Sequence, residues 1–464
     1  MSDTLLLIVL IVLAFAGGQF VTRLAARHGM LSGAESLLVG LAIGPAGAGL
    51  LDGRSLDKAQ LLVALLLGLV GFSAGARARR LSTQPEAVVV GIATGLGVAT
   101  GIALLALGWM YHFDRPTEPW LIDTAWPLTE GLIVELRATA GQLECAVVLG
   151  AAGAASSSAV IESTARLYGA RGPVHTLLHG AASTAEILAI VLLGLALAGR
   201  RQLEAGAELP FGITEWALLG MGVGVVCGLL FAWFARDEQD SKALFVAATG
   251  TVIFAAGVGL AIGLSPTFVN LLAGLTVALV SPQAARICDE LERLRHPIQV
   301  LVMVFAGMLL ALPTGTEWLL ALAYPLVRWG LLRVLLPTSA AALLENPPRA
   351  ARIGDGLLAQ GTLPVVIAVA FVMRAPDYAV TVLTTVLFAT VTSDLWSIRV
   401  LSAVLLDAGE VNDTACRGDT VPAELIGHEQ LDAERALVGM PVGAAMAADV
   451  AATPSGTSGQ QESA

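Results

Sequence analysis

The feature that most constrains this chain is a row of apolar stretches of similar length, following one another from Leu5 to Val404 with short polar loops between them. About 20 mostly apolar residues carry a helix across the hydrocarbon layer of a bilayer, and within that layer every backbone N–H and C=O must be bonded inside the protein. The pattern therefore predicts an all-α membrane protein whose first partner is the lipid bilayer. Stretches near 4–22, 29–51, 59–76, 86–111, 143–161, 172–198, 212–235, 242–262, 265–281, 297–313, 317–344, 354–373 and 377–404 give about 13 transmembrane helices. Those near 29–51 and 265–281 are short or glycine-rich, so a count of twelve stays open. Charged residues make up only 14% of the chain, against about 25% in soluble domains, and the mean hydropathy is +0.77. The opening MSDT lacks the basic region of a signal peptide, so the first stretch reads as an uncleaved span.

Lysines and arginines in loops set orientation. Fifteen lie on one side, among them Arg77, Arg166, Arg171, Arg295 and Arg399, and seven on the other. This places the N-terminus outside and the C-terminus in the cytoplasm, and points to a bacterial-type plasma membrane. The net charge of −11 resides largely in loops and tail, and no basic patch suggests nucleic acid. Residues 407–464 form an acidic tail whose composition cannot bury a core, with no GxGxxG, so no cofactor is called for. The four cysteines are scattered, and Ile287–Pro297 (ICDELERLRHP) reads as a short amphipathic helix at the cytoplasmic surface. The loop near 112–142, with Trp120 and Trp126, reads as an interfacial flap, with a lid or partner site as the alternative.

Two stretches carry the chemistry. Cys145–Leu192 breaks its apolar run at Ser156, Ser157 and Ser158, then places one carboxylate, Glu186, in the next span. An acid in such a setting is costly and is a candidate functional group. One carboxylate can hold a proton or a cation at the same place, so the ingoing ion expels the other. Serine hydroxyls and freed carbonyls are the oxygen ligands that small hard cations take; small-residue packing is the plainer reading of the serines. In the second half Gln360, Thr362 and Pro364 form a matching interruption, with Pro364 expected to expose carbonyls upstream. Paired interrupted helices in corresponding halves mark a transporter's central site. The opposed helix ends need charge compensation, which Glu186 or Arg328 can supply. His175 and His179, four apart, offer a pH-responsive mouth rather than a metal site, since no third ligand is evident. Asp394 and Glu35 read as end or interface residues. GLAIGPAGAGLL (Gly40–Leu51) corresponds to LLAGLTVALVSP (Leu271–Pro282), and GLVGFSAG (Gly68–Gly75) to VFAGMLLA (Val304–Ala311), which fits an inverted repeat with two interrupted crossing helices.

These residues resemble the monovalent cation–proton antiporter superfamily, the sodium/hydrogen exchanger-like membrane domain. GLSPTFVNLLAGLTVA (Gly263–Ala278) is close to the family's GLSPALGAFLAGLLLA, LLVGLAIGPAGAGLL to its second-span GxxxGP signature, and LLHGAASTAEILAIVL aligns without gaps to LLEGESLLNDxxAIVL. The resemblance covers roughly residues 5–404. It implies a core of about 86–198 and 317–404 moving against a scaffold of about 4–76 and 242–313, joined by a connector at 212–235. It further implies a non-enzymatic exchanger of Na⁺ or K⁺ for H⁺, a homodimer, and a role for Arg328 facing the broken helices. The chain departs from the family pattern at Ser73, Ala185 and Leu363, where acids are expected or adjoin. With Glu186 as the remaining acid, a one-for-one electroneutral cycle is expected. A non-transporting sensor or assembly protein on the same scaffold, or a solute symporter, are the alternatives.

Overall fold

The computed structural model describes residues 34–44, 47, 53–113, 128–205, 211–236, 238, 240–313, 315–348 and 352–411. The expected first span near 4–22, the tryptophans of the 112–142 loop and the tail past Val411 lie outside the described residues. The helices are α1 (Ala34–Ile43), α2 (Gly53–Arg77), α3 (Pro85–Phe113), α4 (Leu128–Ala154), α5 (Ser158–Tyr168), α6 (Pro173–Ala205) and α7 (Ile213–Phe234). They continue with α8 (Ser241–Ala261), α9 (Pro266–Val280), α10 (Ala284–Arg293), α11 (Arg295–Leu309), α12 (Glu317–Leu343), α13 (Leu363–Val372) and α14 (Ala379–Asp407). Short 3₁₀ turns lie at Ala78–Thr83, Ile353–Leu357 and Pro376–Tyr378, and no strand occurs among the described residues. Eight segments are long and apolar enough to cross a membrane, the broken α4–α5 counting as one; α9, α11 and α13 are shorter apolar helices. The chain is thus a multi-pass all-α membrane protein.

The surface helix expected at Ile287–Pro297 is α10. It buries Ala284, Ile287 and Leu291, at three- and four-residue spacing, and exposes Arg286, Asp289 and Glu292, the stripe of a helix lying on a packed surface. Arg295 already starts α11, so the surface helix ends sooner than its sequence suggests.

Glycines set two close helix contacts among the described residues. A Cβ at Gly71 or Gly75 of α2 would collide with the carbonyl oxygens of Thr267 and Leu271 on α9, and one at Gly274 of α9 with that of Phe72. Likewise a Cβ at Gly40 of α1 would collide with the carbonyl of Val304 on α11, and one at Gly307 with that of Leu37. Small residues allow such backbone approach in lipid, where dispersion and not water exclusion drives packing. The α1–α11 and α2–α9 contacts pair the segments that the sequence matches across the two halves, each first-half helix lying on the counterpart of the other. Buried apolar side chains gather in two clusters. One joins α3–α6 and α12–α14, with α11 and parts of α2 and α9; the other joins the remainder of α2 and α9 with α7, α8 and α10.

Gly71→Ala should therefore lower the stability of the detergent-solubilised protein by about 1–3 kcal/mol, the scale of overpacking. Gly250→Ala, with open space around its Cβ, should leave the thermal unfolding midpoint unchanged or slightly raised. A scan of both variants checks the contrast.

Candidate functional site

The serine cluster breaks a helix. α4 ends at Ala154, residues 155–157 are extended, and α5 begins at Ser158. Ser157 takes the N-cap position in the β region, its Oγ accepting from Val160 N at 3.4 Å. The second interruption runs from the 3₁₀ turn Ile353–Leu357 through residues 358–362 to α13. Pro364 sits in the first turn of α13, where a missing N–H costs no helix bond. It opens a half-helix; the carbonyls the crossing uses are those of Leu357, Leu358 and Ala359, set free by the end of the 3₁₀ turn and not by the proline. Thr362 holds the cap position without a side-chain cap bond.

The two breaks touch. Ser157 N donates to Ala359 O at 2.8 Å, and Ser156 Oγ to Leu357 O at 2.9 Å. Gly361 has φ +64°, and a Cβ there would lie 2.8 Å from Ser157 Oγ. Glycine is thus required twice at this position, for its backbone conformation and for room. Gln360 Nε2 donates to Ala152 O at 3.3 Å, a further tie between the breaks.

Full charges meet the four helix ends. Arg328, 0% exposed on α12, donates to Gly153 O (2.8 Å), Ala155 O (2.9 Å), Ser156 Oγ (3.1 Å), Leu357 O (3.2 Å) and Leu358 O (2.8 Å). One guanidinium therefore serves the carboxyl ends of both half-helices, where backbone partial charge is negative. At the amino end of α5, Glu186 Oε1 accepts from Ser158 N at 2.8 Å and Ser158 Oγ at 3.0 Å. At the amino end of α13, Asp394 Oδ1 accepts from Gln360 N at 3.0 Å and Gly361 N at 3.3 Å. Each carboxylate comes from the span that follows its broken helix, α6 for the first and α14 for the second.

Asp394 corrects a sequence reading: it is no end residue but lies midway along α14 at the crossing. The signal was available, a lone acid inside an apolar span, as for Glu186. Arg77 was placed among loop cations for the same lack of a partner in sequence. It closes α2, and its Nη2 lies 3.1 Å from Glu186 Oε2. Its Nη1 lies 3.4 Å from Ser158 Oγ and its Nε 3.2 Å from Ser73 O. The position where the family pattern has an acid, Ser73, thus abuts this arginine.

A water-accessible cavity of about 50 Å³ reaches this cluster, lined by Arg77, Ser157, Glu186, Gln360 and Thr362, with Glu292 and Arg295 at its α10–α11 wall. A water needs about 10–15 Å³ of such space, so a small ion with part of its hydration shell fits. Glu292 and Arg295 pair with each other at 2.8 Å. The sequence-predicted residues thus divide. Glu186, Ser157 and Ser158 come together beside the cavity with Gln360 and Thr362, whereas Ser156 and Arg328 are turned into the crossing itself. His175 and His179 lie toward the loop end of α6 and do not line the cavity, their rings 6.0 Å apart, with His175 Nε2 3.5 Å from Glu162 Oε2. Among the described residues no group of three His, Cys, Asp or Glu side chains is placed to hold a metal ion.

Two interrupted helices crossing at a charge-compensated centre inside a helical membrane domain define a class, the ion-coupled secondary transporter. Within it, the chain belongs to the sodium/hydrogen exchanger transmembrane family, which it matches over residues 36–398, and membership supports monovalent cations and protons as its substrates. The fold is similar to that of the sodium proton antiporter MjNhaP1 from Methanocaldococcus jannaschii at pH 8. That match has TM-score 0.59 and 17% identity and covers 88% of this chain and 99% of that one. An electron-microscopy map of MjNhaP1 matches with TM-score 0.53 and 16% identity, covering 86% and 94%. No curated protein sequence matches the chain.

Removing Arg328 strands buried carbonyls on both half-helices, each costing about 1–3 kcal/mol. Arg328→Met should lower the thermal unfolding midpoint more than any single substitution at the cavity wall, with Arg328→Lys falling between. Unfolding scans in detergent give the order.

Proposed function

We propose that the chain exchanges a monovalent cation, Na⁺ or K⁺, for H⁺ by alternating access, with Glu186 as the shared seat. The observation that carries this reading is the position of Glu186. Its carboxylate bonds the first break through Ser158 N and Oγ and also lines the cavity. A carboxylate so placed is open to water on one side and tied to a half-helix end on the other, so its occupant is read by the backbone that has to move. Ser158 Oγ and Ser157 lie within or beside the same oxygen set and suit a hard cation. Glu186 alone carries one proton against one cation, an electroneutral step. On this reading α3–α6 and α12–α14 form the moving core, Arg328 and the Gln360–Pro364 segment hold the crossing, and the cavity opens to the cytoplasm, in keeping with the excess of arginine and lysine on that face.

A second reading, a non-transporting protein on the same scaffold, is favoured by one observation: Glu186 is already paired with Arg77. Proteoliposomes with an imposed pH gradient separate the two. Addition of Na⁺, K⁺ or Li⁺ should dissipate the gradient for the wild type; Glu186→Gln should fall to the rate of protein-free vesicles, and Glu186→Asp should keep part. Full activity of the Gln variant would sink the assignment of Glu186, and a wild type silent with every cation would leave the scaffold reading standing.

A further inference from the structure

The exchange just described gives Arg77 no task, yet Arg77 occupies its centre. Its guanidinium reaches Glu186 Oε2 at 3.1 Å and Ser158 Oγ at 3.4 Å, two of the oxygens offered above to the transported cation. The other charged groups lining the cavity, Glu292 and Arg295, are engaged with each other. Two cations cannot share one carboxylate in a weakly screened site without strong repulsion. Arginine keeps its charge at any physiological pH and so cannot leave the pair by losing a proton; it has to move. It has room to do so: its side chain is 22% exposed at the cavity wall, while that of Glu186 is 8% exposed.

We propose that Arg77 is the resident counter-ion of the exchange site, and that a cation or a proton takes Glu186 only by displacing the Arg77 guanidinium. The proposal rests on the exchange reading and adds an affinity-setting residue to it. It also assigns a coupling role. Arg77 ends α2, which is held to α9 by the glycine contacts of Gly71, Gly75 and Gly274. Glu186 lies on α6, most of whose buried apolar residues pack with α3, α4 and α5 in a cluster that Val63, Leu66, Leu67 and Ala74 of α2 also enter. On the exchange reading the ion pair thus ties α2 of the scaffold to α6 of the moving core while Glu186 is ionised and empty. That is the state whose passage across the membrane would let one ion flow without the other. Loading by either ion opens the tie, so only a loaded carboxylate is free to move.

Cation binding to the purified full-length protein tests this, by calorimetry with NaCl, KCl and LiCl at one alkaline pH. Removing a charge-assisted competitor should tighten binding of the transported cation by about tenfold or more in Arg77→Gln. Arg77→Lys, whose single ammonium cannot span Glu186 Oε2 and Ser158 Oγ as a planar fork does, should tighten it by a smaller factor. The order Gln tighter than Lys tighter than wild type is the expected result, and any other order overturns the proposal. In particular, weaker binding by Arg77→Gln at an unchanged unfolding midpoint would make Arg77 a builder of the site. If Arg77→Gln does not fold, the comparison of Lys with wild type decides alone. Failure of the exchange reading is recognised separately, by Glu186→Gln binding the cation as well as the wild type does.

Discussion

The structure depends on how one buried guanidinium is satisfied. Arg328 sits without solvent exposure inside α12, in surroundings where an uncompensated charge is prohibitive. It is tolerated because two helices stop beside it and turn five oxygens toward it. Neither side of this arrangement stands alone. Without the arginine the ends of α4 and of the Ile353–Leu357 turn would leave carbonyls unbonded at membrane depth, and without those ends the arginine would have no acceptors. The crossing is a mutual solution to two desolvation costs, which is why both breaks are fixed to the same point in the bundle.

The amino ends obey the same rule with the opposite sign. Glu186 meets α5 and Asp394 meets α13, so positive backbone ends face carboxylates and negative ends face a guanidinium. Around this centre the glycine contacts of α1 with α11 and α2 with α9 bring neighbouring backbones close enough to fix where Arg77 emerges. The tight packing at Gly71 and Gly75 and the ion pair of Arg77 fall within the same last two turns of α2, so the helix contact fixes where the guanidinium stands.

Much of this was legible in the sequence. Span length and the absence of charge give the helical bundle, and the serine triplet and Gln360, Thr362 and Pro364 mark the two interruptions, because polar or helix-breaking residues inside apolar runs have few other uses. Arg328 and Glu186 declare themselves as charges that lipid would reject. What was not legible is partnership. Arg77 lies next to Arg79 and Arg80 at the end of a span, so by pattern it belongs to the orienting loop charges; only the fold reveals that the chain returns Glu186 to it 109 positions later. Asp394 was misread for a related reason. Its carboxylate bonds the backbone N–H groups of Gln360 and Gly361, a partnership that no side-chain pattern announces. Likewise Pro364 reads as a helix breaker in sequence, but in place it begins a helix, since the same missing N–H that ends one helix is harmless in the first turn of the next.

The two breaks are alike in electrostatics and both reach the cavity, through Ser157 for the first and Gln360 and Thr362 for the second, but they differ in whether their carboxylate lines it. The first is bordered by a water-accessible cavity, and its carboxylate touches a side-chain hydroxyl, a backbone N–H and the Arg77 guanidinium. The second also borders the cavity through Gln360 and Thr362, but its acid, Asp394, is not among the groups lining it. A carboxylate that must trade occupants needs room for them and a partner that can leave; one that must hold a helix end in register needs neither. On that criterion the proposed exchange falls to Glu186, while Asp394 holds the amino end of α13.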